Sequence, residues 1–318
     1  MPNKFIRYFC AMRGDSVPEP TLNNFSTSKS ISAENWLIYF GLSFIWGFSF
    51  FFIKMGLTFF TSLEVAAFRM SIALLAFLPF LFKYRKRLKI KKQKVKWIPV
   101  LGFLGNLIPA VMFSIAAKRI DSALLGILNA TTPLFALGIG SLLFGVLLTG
   151  NKIIGVILGF IGSMLIILST QSVTSLNLYI LLPLVATMSY GMNANIFKVY
   201  FQDDDPLVIA LLQYAFVGII TFSFLLFNGT FQKITLQPDL AWQALKYLLL
   251  LGVLGTAVAQ IYFNILTQKT SALFATMTTF TIPIVAVIIG IVIGEQLTLS
   301  HFVGLTIILV GVYVGSRK

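Results

Sequence analysis

The chain has 318 residues, of which 58% are hydrophobic and 11% are charged, and its mean hydropathy is +0.91. A soluble protein of this length cannot bury so much apolar surface, so the composition excludes that class and predicts an all-α integral membrane protein. The net charge of +14 would suit nucleic acid, but nine of the 24 basic residues form one run over 83–96 between two apolar segments. We interpret the run as a topology anchor against anionic lipid and expect no nucleic-acid partner; a regulatory or nucleic-acid role is the less favoured alternative.

A polar leader, residues 1–35, comes first. It is not interpreted as a signal peptide, because Lys4, Arg7 and Arg13 are followed by no adequate apolar core before Trp36. Cys10 is the only cysteine, so no intramolecular disulfide is expected and no metal or redox role can be read from it.

Ten apolar segments follow, and most reach the roughly 20 residues that cross a bilayer. The predicted spans are 36–57, 62–82, 97–117, 122–148, 153–170, 177–199, 206–227, 241–267, 271–293 and 301–316. The first five make one repeat, 36–170, and the last five a second, 177–316.

The two repeats share one pattern at an offset of about 149 residues. Agreement at glycines and prolines, in order, is what a duplication produces and apolar composition does not. The matched positions are Trp46-Gly47 and Lys54 with Tyr190-Gly191 and Lys198; Gly102, Gly105 and Phe113 with Gly252, Gly255 and Phe263; Ser122-Ala123-Leu124 with Ser271-Ala272-Leu273; Pro133 with Pro283; and Gly145, Thr149, Gly155 and Gly162 with Gly294, Thr298, Gly304 and Gly311. Because five is odd, the copies enter the membrane from opposite sides, which predicts ten transmembrane helices as two inverted five-helix repeats.

Charge sets the orientation of these spans. In a ten-span chain the side that holds both termini carries 18 Lys and Arg residues and the other side carries four. The positive-inside rule then predicts that both termini are cytoplasmic, in the inner (plasma) membrane.

Four motifs resemble the EamA-type members of the drug/metabolite transporter superfamily. They are Ile45-Trp46-Gly47, Phe68-Arg69, Pro133-Leu134-Phe135 and Ile293-Gly294-Glu295-Gln296-Leu297-Thr298, and the resemblance covers about 36–316. It implies a carrier of amino acids, other small metabolites, nucleotide sugars or toxic cations. The family usually has a Gly-Glu pair at the end of the fourth span of each half. The second half keeps this pair as Gly294-Glu295, whereas the first half has Gly145-Val146. Glu295 is therefore interpreted as a span-end or packing residue.

Polar residues inside the spans predict a binding cavity between the repeats, because polar groups avoid lipid. Thr256, Gln260 and Asn264 fall at a spacing of four, which puts them on one helix face, and Asn106, Ala110 and Ser114 repeat that stripe. The cavity candidates are Trp46, Ser49, Asn106, Ser114, Asn129, Tyr190, Asn193, Thr256, Gln260 and Asn264. Hydrogen bonding between helices, or an interfacial place for the two aromatic residues, is the alternative.

Prolines and charges inside the spans complete the candidates. Pro133 and Pro283 are predicted either as paired hinges or as fixed kinks. Arg69 and Lys54 are the intramembrane charges, and Lys198 lies at the inner end of its span. A structural ion pair or snorkelling is favoured for all three, and binding of an anionic group such as a substrate carboxylate is the alternative.

We expect a transporter of small polar or amphipathic metabolites, favoured as an amino-acid or metabolite exporter working by alternating access. A drug or cation efflux carrier is the main alternative; a membrane scaffold or receptor and a lipid enzyme are less favoured. No predicted span carries a mid-membrane carboxylate, which favours uniport, exchange or coupling through the substrate's own proton. We expect no enzymatic activity, cofactor or metal. Gly155/Gly159 and Gly311/Gly315 favour packing within a monomer over a homodimer seam.

Overall fold

The computed structural model describes residues 31–84, 90–119, 122–168, 178–282, 285 and 299–317. Every regular element in these ranges is a helix, which confirms the predicted all-helical class. The helices, numbered in chain order, are α1 (Ala33–Gly56), α2 (Ser62–Tyr84), α3 (Lys92–Ala116), α4 (Ser122–Asn129), α5 (Thr132–Phe144), α6 (Gly150–Leu168), α7 (Leu181–Tyr200), α8 (Pro206–Phe227), α9 (Thr230–Leu236), α10 (Pro238–Lys269), α11 (Ala272–Ile282) and α12 (Leu299–Ser316).

Five described helices, α1, α2, α3, α8 and α10, are long and apolar enough to cross a membrane. Helix α7 has 20 residues, but its polar side chains lower its hydropathy. Shorter apolar helices lie in α5, α6, α11 and α12. Large apolar side chains such as Phe44, Leu142 and Ile219 are exposed on the outside of the bundle, where lipid solvates them. The chain is therefore a multi-pass membrane protein.

The predicted span 122–148 is two helices rather than one. Helix α4 ends at Asn129 and α5 begins at Thr132, with Pro133 in its first turn. Proline has no N–H for the carbonyl of Asn129, and the Thr132 hydroxyl donates to that carbonyl instead, at 2.7 Å. Helix α5 ends at Gly145, whose φ of +70° favours glycine, so the span stops before its predicted end.

Two helices contain a π-helical segment at matching places, which the sequence did not predict. Residues 103–107 of α3 and 253–258 of α10 are π-helical, and each segment directly follows a matched glycine, Gly102 or Gly252. A π turn accommodates one extra residue, so side chains beyond it are rotated relative to a continuous α-helix. The even spacing assumed for the two polar stripes is therefore interrupted.

Small residues set the closest helix contacts. A Cβ on Gly155 of α6 would lie 2.4 Å from the Cα of Gly315 on α12, so these helices touch backbone to backbone within one chain. Helix α2 packs on α8, α1 on α10, and α7 on both α3 and α5. These last contacts enclose the centre of the bundle.

Hydrogen bonds and ion pairs join the loops at each end of the bundle. We define the Glu34 end as the one where α1 begins; there Lys269 pairs with Glu34 at 2.7 Å and Lys94 pairs with Asp204. Lys198 donates to the carbonyls of Gln268, at 2.8 Å, and Thr270, at 2.9 Å. It therefore caps the end of α10, and the expectation that it snorkels is wrong.

We define the Glu64 end as the opposite one, where α1 ends. Glu64 accepts from the backbone N–H of Thr61 at 2.7 Å and from the hydroxyl of Thr230 at 2.9 Å. Lys233 lies 3.5 Å from the Glu64 carboxylate and donates to the Phe59 carbonyl at 2.6 Å. The loop between α1 and α2 is thus joined to the short helix α9.

Candidate functional site

A cavity of about 80 Å³ lies at the centre of the bundle, bordered by α1, α2, α3, α5, α7 and α10 among others. Several water molecules, or part of a small solute, fit a volume of this order. Its wall mixes aromatic and aliphatic side chains with hydroxyls, amides and one guanidinium. That composition is typical of a site for a small amphipathic molecule.

Most of the predicted cavity residues border this space. Those that do are Trp46, Ser49, Asn106, Asn129, Tyr190, Asn193, Thr256 and Gln260. Ser114 and Asn264 are buried but do not line the cavity. Asn264 instead accepts from Gln260 Nε2 at 2.8 Å and donates to the Pro206 carbonyl at 3.3 Å, joining α10 to the start of α8.

The remaining candidates lie elsewhere. Pro133 begins α5 and is not part of the cavity wall, whereas Pro283 lies outside the described residues. Lys54 is in the last turn of α1, away from the cavity lining. Arg69 lines the cavity and is treated below.

Arg69 and Gln213 each form a hydrogen bond with a side chain of a π segment. Arg69 Nε donates to Thr256 Oγ1 at 2.8 Å, and Thr256 in turn donates to the Leu251 carbonyl at 2.8 Å. Asn106 Nδ2 donates to Gln213 Oε1 at 3.1 Å. One bond therefore joins the π segment of α10 to α2, and the other joins the π segment of α3 to α8.

Two pairs of hydroxyls also join the first and second parts of the chain. Ser43 on α1 accepts a short hydrogen bond from Thr281 on α11. Thr187 on α7 and Thr131 at the α4–α5 break lie 3.0 Å apart. Helix α1 is thus linked to α11, and α7 to the α4–α5 break, through the same kind of group.

Glycines in the two π segments bring backbone against polar side chains of the cavity. A Cβ on Gly105 would lie 2.6 Å from the Asn193 amide, and one on Gly255 would lie 2.9 Å from Ser49 Oγ. The Gly255 carbonyl also accepts from Trp46 Nε1 at 3.1 Å. Trp46 and Tyr190 therefore belong to the cavity wall and not to the membrane interface.

The expected structural ion pair of Arg69 is not found among the described residues: no described carboxylate lies within 4 Å of its guanidinium. The side chain is partly buried and lines the same cavity as Tyr190 and Tyr214. Among the described wall residues, Arg69 is the one charged side chain and none is acidic.

Asn193 is a buried amide with an unused acceptor. It is 3% exposed, and its Oδ1 has no hydrogen-bond partner among the described residues. A buried, unpaired acceptor is costly unless water or a ligand meets it. Asn193 is therefore available to whatever occupies the cavity.

Sequence reasoning missed Gln213 and Tyr214, both on α8. The Tyr214 hydroxyl donates to Asn106 Oδ1 at 2.5 Å, and Gln213 accepts from the same side chain. Gln213 is the one amide in an otherwise apolar stretch of this predicted span, and that isolation is the signal that could have identified it. Within the described ranges, no group of three His, Cys, Asp or Glu residues comes together to hold a metal.

A bundle of apolar helices around a buried cavity with apolar and polar walls suits a membrane carrier for small solutes. Comparison with known proteins gives the family. The sequence profile of the EamA-like transporter family matches residues 35–168 and again residues 177–317. The chain therefore belongs to the EamA-like transporter family, within the drug/metabolite transporter superfamily, as the four motifs implied.

Individual relatives agree with this assignment. An uncharacterized transporter of Archaeoglobus fulgidus is 23% identical over 287 residues, which are 90% of this chain and 99% of the relative. The uncharacterized transporter YoaV of Bacillus subtilis is 25% identical over 284 residues, covering 86% and 94% of the two chains. A solved crystal structure superposes with a TM-score of 0.68 at 14% identity, covering 88% of this chain and 95% of its own, and shows the shared fold alone.

Proposed function

We propose that this membrane transporter carries small polar or amphipathic metabolites, such as amino acids, out of the cell by alternating access at the central cavity. The observation that carries the proposal is the cavity itself: amides, hydroxyls and one guanidinium from both halves of the chain meet around one small space. The polar groups of such a site form hydrogen bonds that replace those a polar solute loses with water on entering a membrane.

Two inverted five-helix repeats, with ten spans in all, form the proposed architecture. The family profile matches the chain twice, and the polar contacts around the cavity occur in matched pairs. Thr256 with Arg69 corresponds to Asn106 with Gln213, and Ser43 with Thr281 corresponds to Thr187 with Thr131. An inverted repeat supports two conformations of similar energy, open to opposite sides.

The clusters at the two ends of the bundle act as the alternating closures. The Glu34 end is held by the Lys94–Asp204 pair, and the Glu64 end by the Lys233–Glu64 pair. We propose that one set of contacts breaks while the other persists, so that the cavity opens to one side at a time. Each closure is made of a few side-chain contacts between loops and helix ends, which can break and re-form without unfolding a helix.

Efflux is tested in cells that overexpress the protein and are challenged with toxic amino-acid analogues and, separately, with lipophilic cations. We expect resistance to amino-acid analogues, lost in Gln260→Leu, because that substitution removes an amide from the cavity wall. Absence of an acidic wall residue among the described ones argues against the efflux of cations. Resistance to the cations alone would replace the proposal with the drug-efflux alternative.

A further inference from the structure

The only guanidinium in the described cavity wall belongs to Arg69 on α2. Its Nε donates to Thr256 Oγ1, and its side chain borders the cavity together with that of Tyr190. A charge at this depth is costly unless an opposite charge or water meets it, and no described carboxylate does. Guanidinium forks match the geometry of carboxylates, which bind them through two parallel hydrogen bonds.

Among the described wall residues, the positive charge lies on one side of the cavity. Where α2 has Arg69 against the π segment of α10, α8 has the neutral Gln213 against the π segment of α3. These two corresponding positions therefore differ in charge. A solute with one negative end has a single favourable orientation between them.

Asn193 supplies the complementary group. Its unpaired Oδ1 is an acceptor in the wall of the same cavity, and it suits an N–H donor of the solute. Tyr190, three residues earlier on α7, lines the same cavity as Arg69. Phe113, Phe263 and Ile282 give the wall an apolar surface, and the volume of about 80 Å³ restricts the solute to a small one.

We propose that the cavity binds small amphipathic carboxylates that carry a hydrogen-bond donor, with the carboxylate on Arg69 and the donor on Asn193. The proposal rests on the proposed function and names the substrate class of the same site. Arg69 is thus a substrate-binding residue and not a partner in a structural ion pair.

The test uses the full chain, purified in detergent, and its thermal unfolding midpoint. Common α-amino acids and small monocarboxylates are compared one by one with their neutral carboxamides. We expect at least one carboxylate to raise the midpoint and its carboxamide to bind about 10- to 100-fold more weakly, because a hydrogen-bonded charge pair is lost. Arg69→Gln removes the difference, Arg69→Lys keeps part of it, and Lys246→Gln, at an exposed position outside the cavity, leaves it unchanged.

The proposal is overturned if no carboxylate raises the midpoint of the wild-type chain, or if carboxylate and carboxamide raise it equally. The comparison within wild type decides this even where Arg69→Gln fails to fold. Counterflow in liposomes with the best-binding carboxylate separates the two proposals. If the protein exchanges neutral solutes whether or not Arg69 is present, the carboxylate proposal is refuted and the proposed transport function is kept. If a carboxylate binds in an Arg69-dependent way but is not exchanged, the binding site is supported and the proposed transport function is refuted.

Discussion

Asn193 and Asn195 lie two residues apart on α7 and are each 3% exposed, but their side chains differ in hydrogen bonding. Asn193 borders the cavity with an unpaired acceptor. Asn195 Nδ2 donates to the carbonyls of Ala136 and Gly191, each at 2.9 Å. Residue type and burial are the same, so the difference between the two side chains lies in their hydrogen bonds.

The two asparagines therefore predict opposite effects of the same substitution. Asn193→Ala should abolish most transport while the protein unfolds at nearly the wild-type temperature, since no described hydrogen bond is lost. Asn195→Ala should lower the free energy of unfolding by about 1–3 kcal/mol, because buried carbonyls lose their donor. Transport in liposomes and thermal unfolding in detergent are measured for both. Equal loss of stability in both variants would place Asn193 in a purely structural role.

At the scale of helices, the close contact between α6 and α12 depends on glycine residues. Gly155, Gly311 and Gly315 let the two backbones touch, and α6 also admits the Phe280 ring where a Cβ on Gly159 would lie 2.5 Å away. Backbone atoms cannot turn aside as a flexible side chain does. The packing of this helix pair is therefore intolerant of added volume.

Gly155→Val should destabilise the protein by at least 1–3 kcal/mol, the usual range for overpacking, because the nearest atoms are backbone. Gly138→Ala in α5 is the matched control, since a Cβ there meets nothing within 4 Å and alanine favours a helix by roughly 1 kcal/mol over glycine. Thermal unfolding in detergent compares the two. A Gly155→Val protein as stable as wild type would mean that α6 and α12 pack differently.

At the scale of the whole molecule, ion pairs lie at both ends of the bundle, and the Glu34 end offers the cleaner test. The side chains of Lys94 and Asp204, which pair there, are only 21% and 16% exposed, so few alternative partners reach them. Lys94→Asp and Asp204→Lys each place like charges together and should slow transport. The double exchange restores the pair and should recover most of the rate. If each single exchange transports at the wild-type rate, this pair is no closure.

Orientation in the membrane is tested by cysteine labelling, starting from a Cys10→Ser chain that has no cysteine. Phe227→Cys, at the exposed end of α8 on the Glu64 side, should react with an impermeant maleimide in intact cells. Gln93→Cys, at the Glu34 end, should react only after permeabilisation, and a reporter fused after Lys318 should be active in the cytoplasm. The reverse pattern would contradict the positive-inside orientation.

At the residue level, polarity predicts a position where one side chain decides its own place. Amides such as Asn106, Asn193 and Gln260 are too polar for lipid, so their position inside a span already predicts a polar centre, and these three border the cavity. Sequence reasoning falls short where a partner decides: Lys198 caps α10, and Arg69 bonds Thr256 and no described carboxylate. Asn264 follows Gln260 by one α-helical turn, but its amide is bonded to Gln260 and to the Pro206 carbonyl. The roles of these residues in transport remain predictions.

By itself, the sequence determined the class of the protein and its family. Composition was enough to predict the membrane class, because side chains that face lipid must be apolar. Short motifs were enough to predict the family. Only the tertiary structure decided which polar groups line the cavity together and which form hydrogen bonds with one another. Thr256 with Arg69, Asn106 with Gln213 and the unpaired acceptor of Asn193 are contacts between distant segments, set by glycine packing and π turns that leave no periodic signal in the chain.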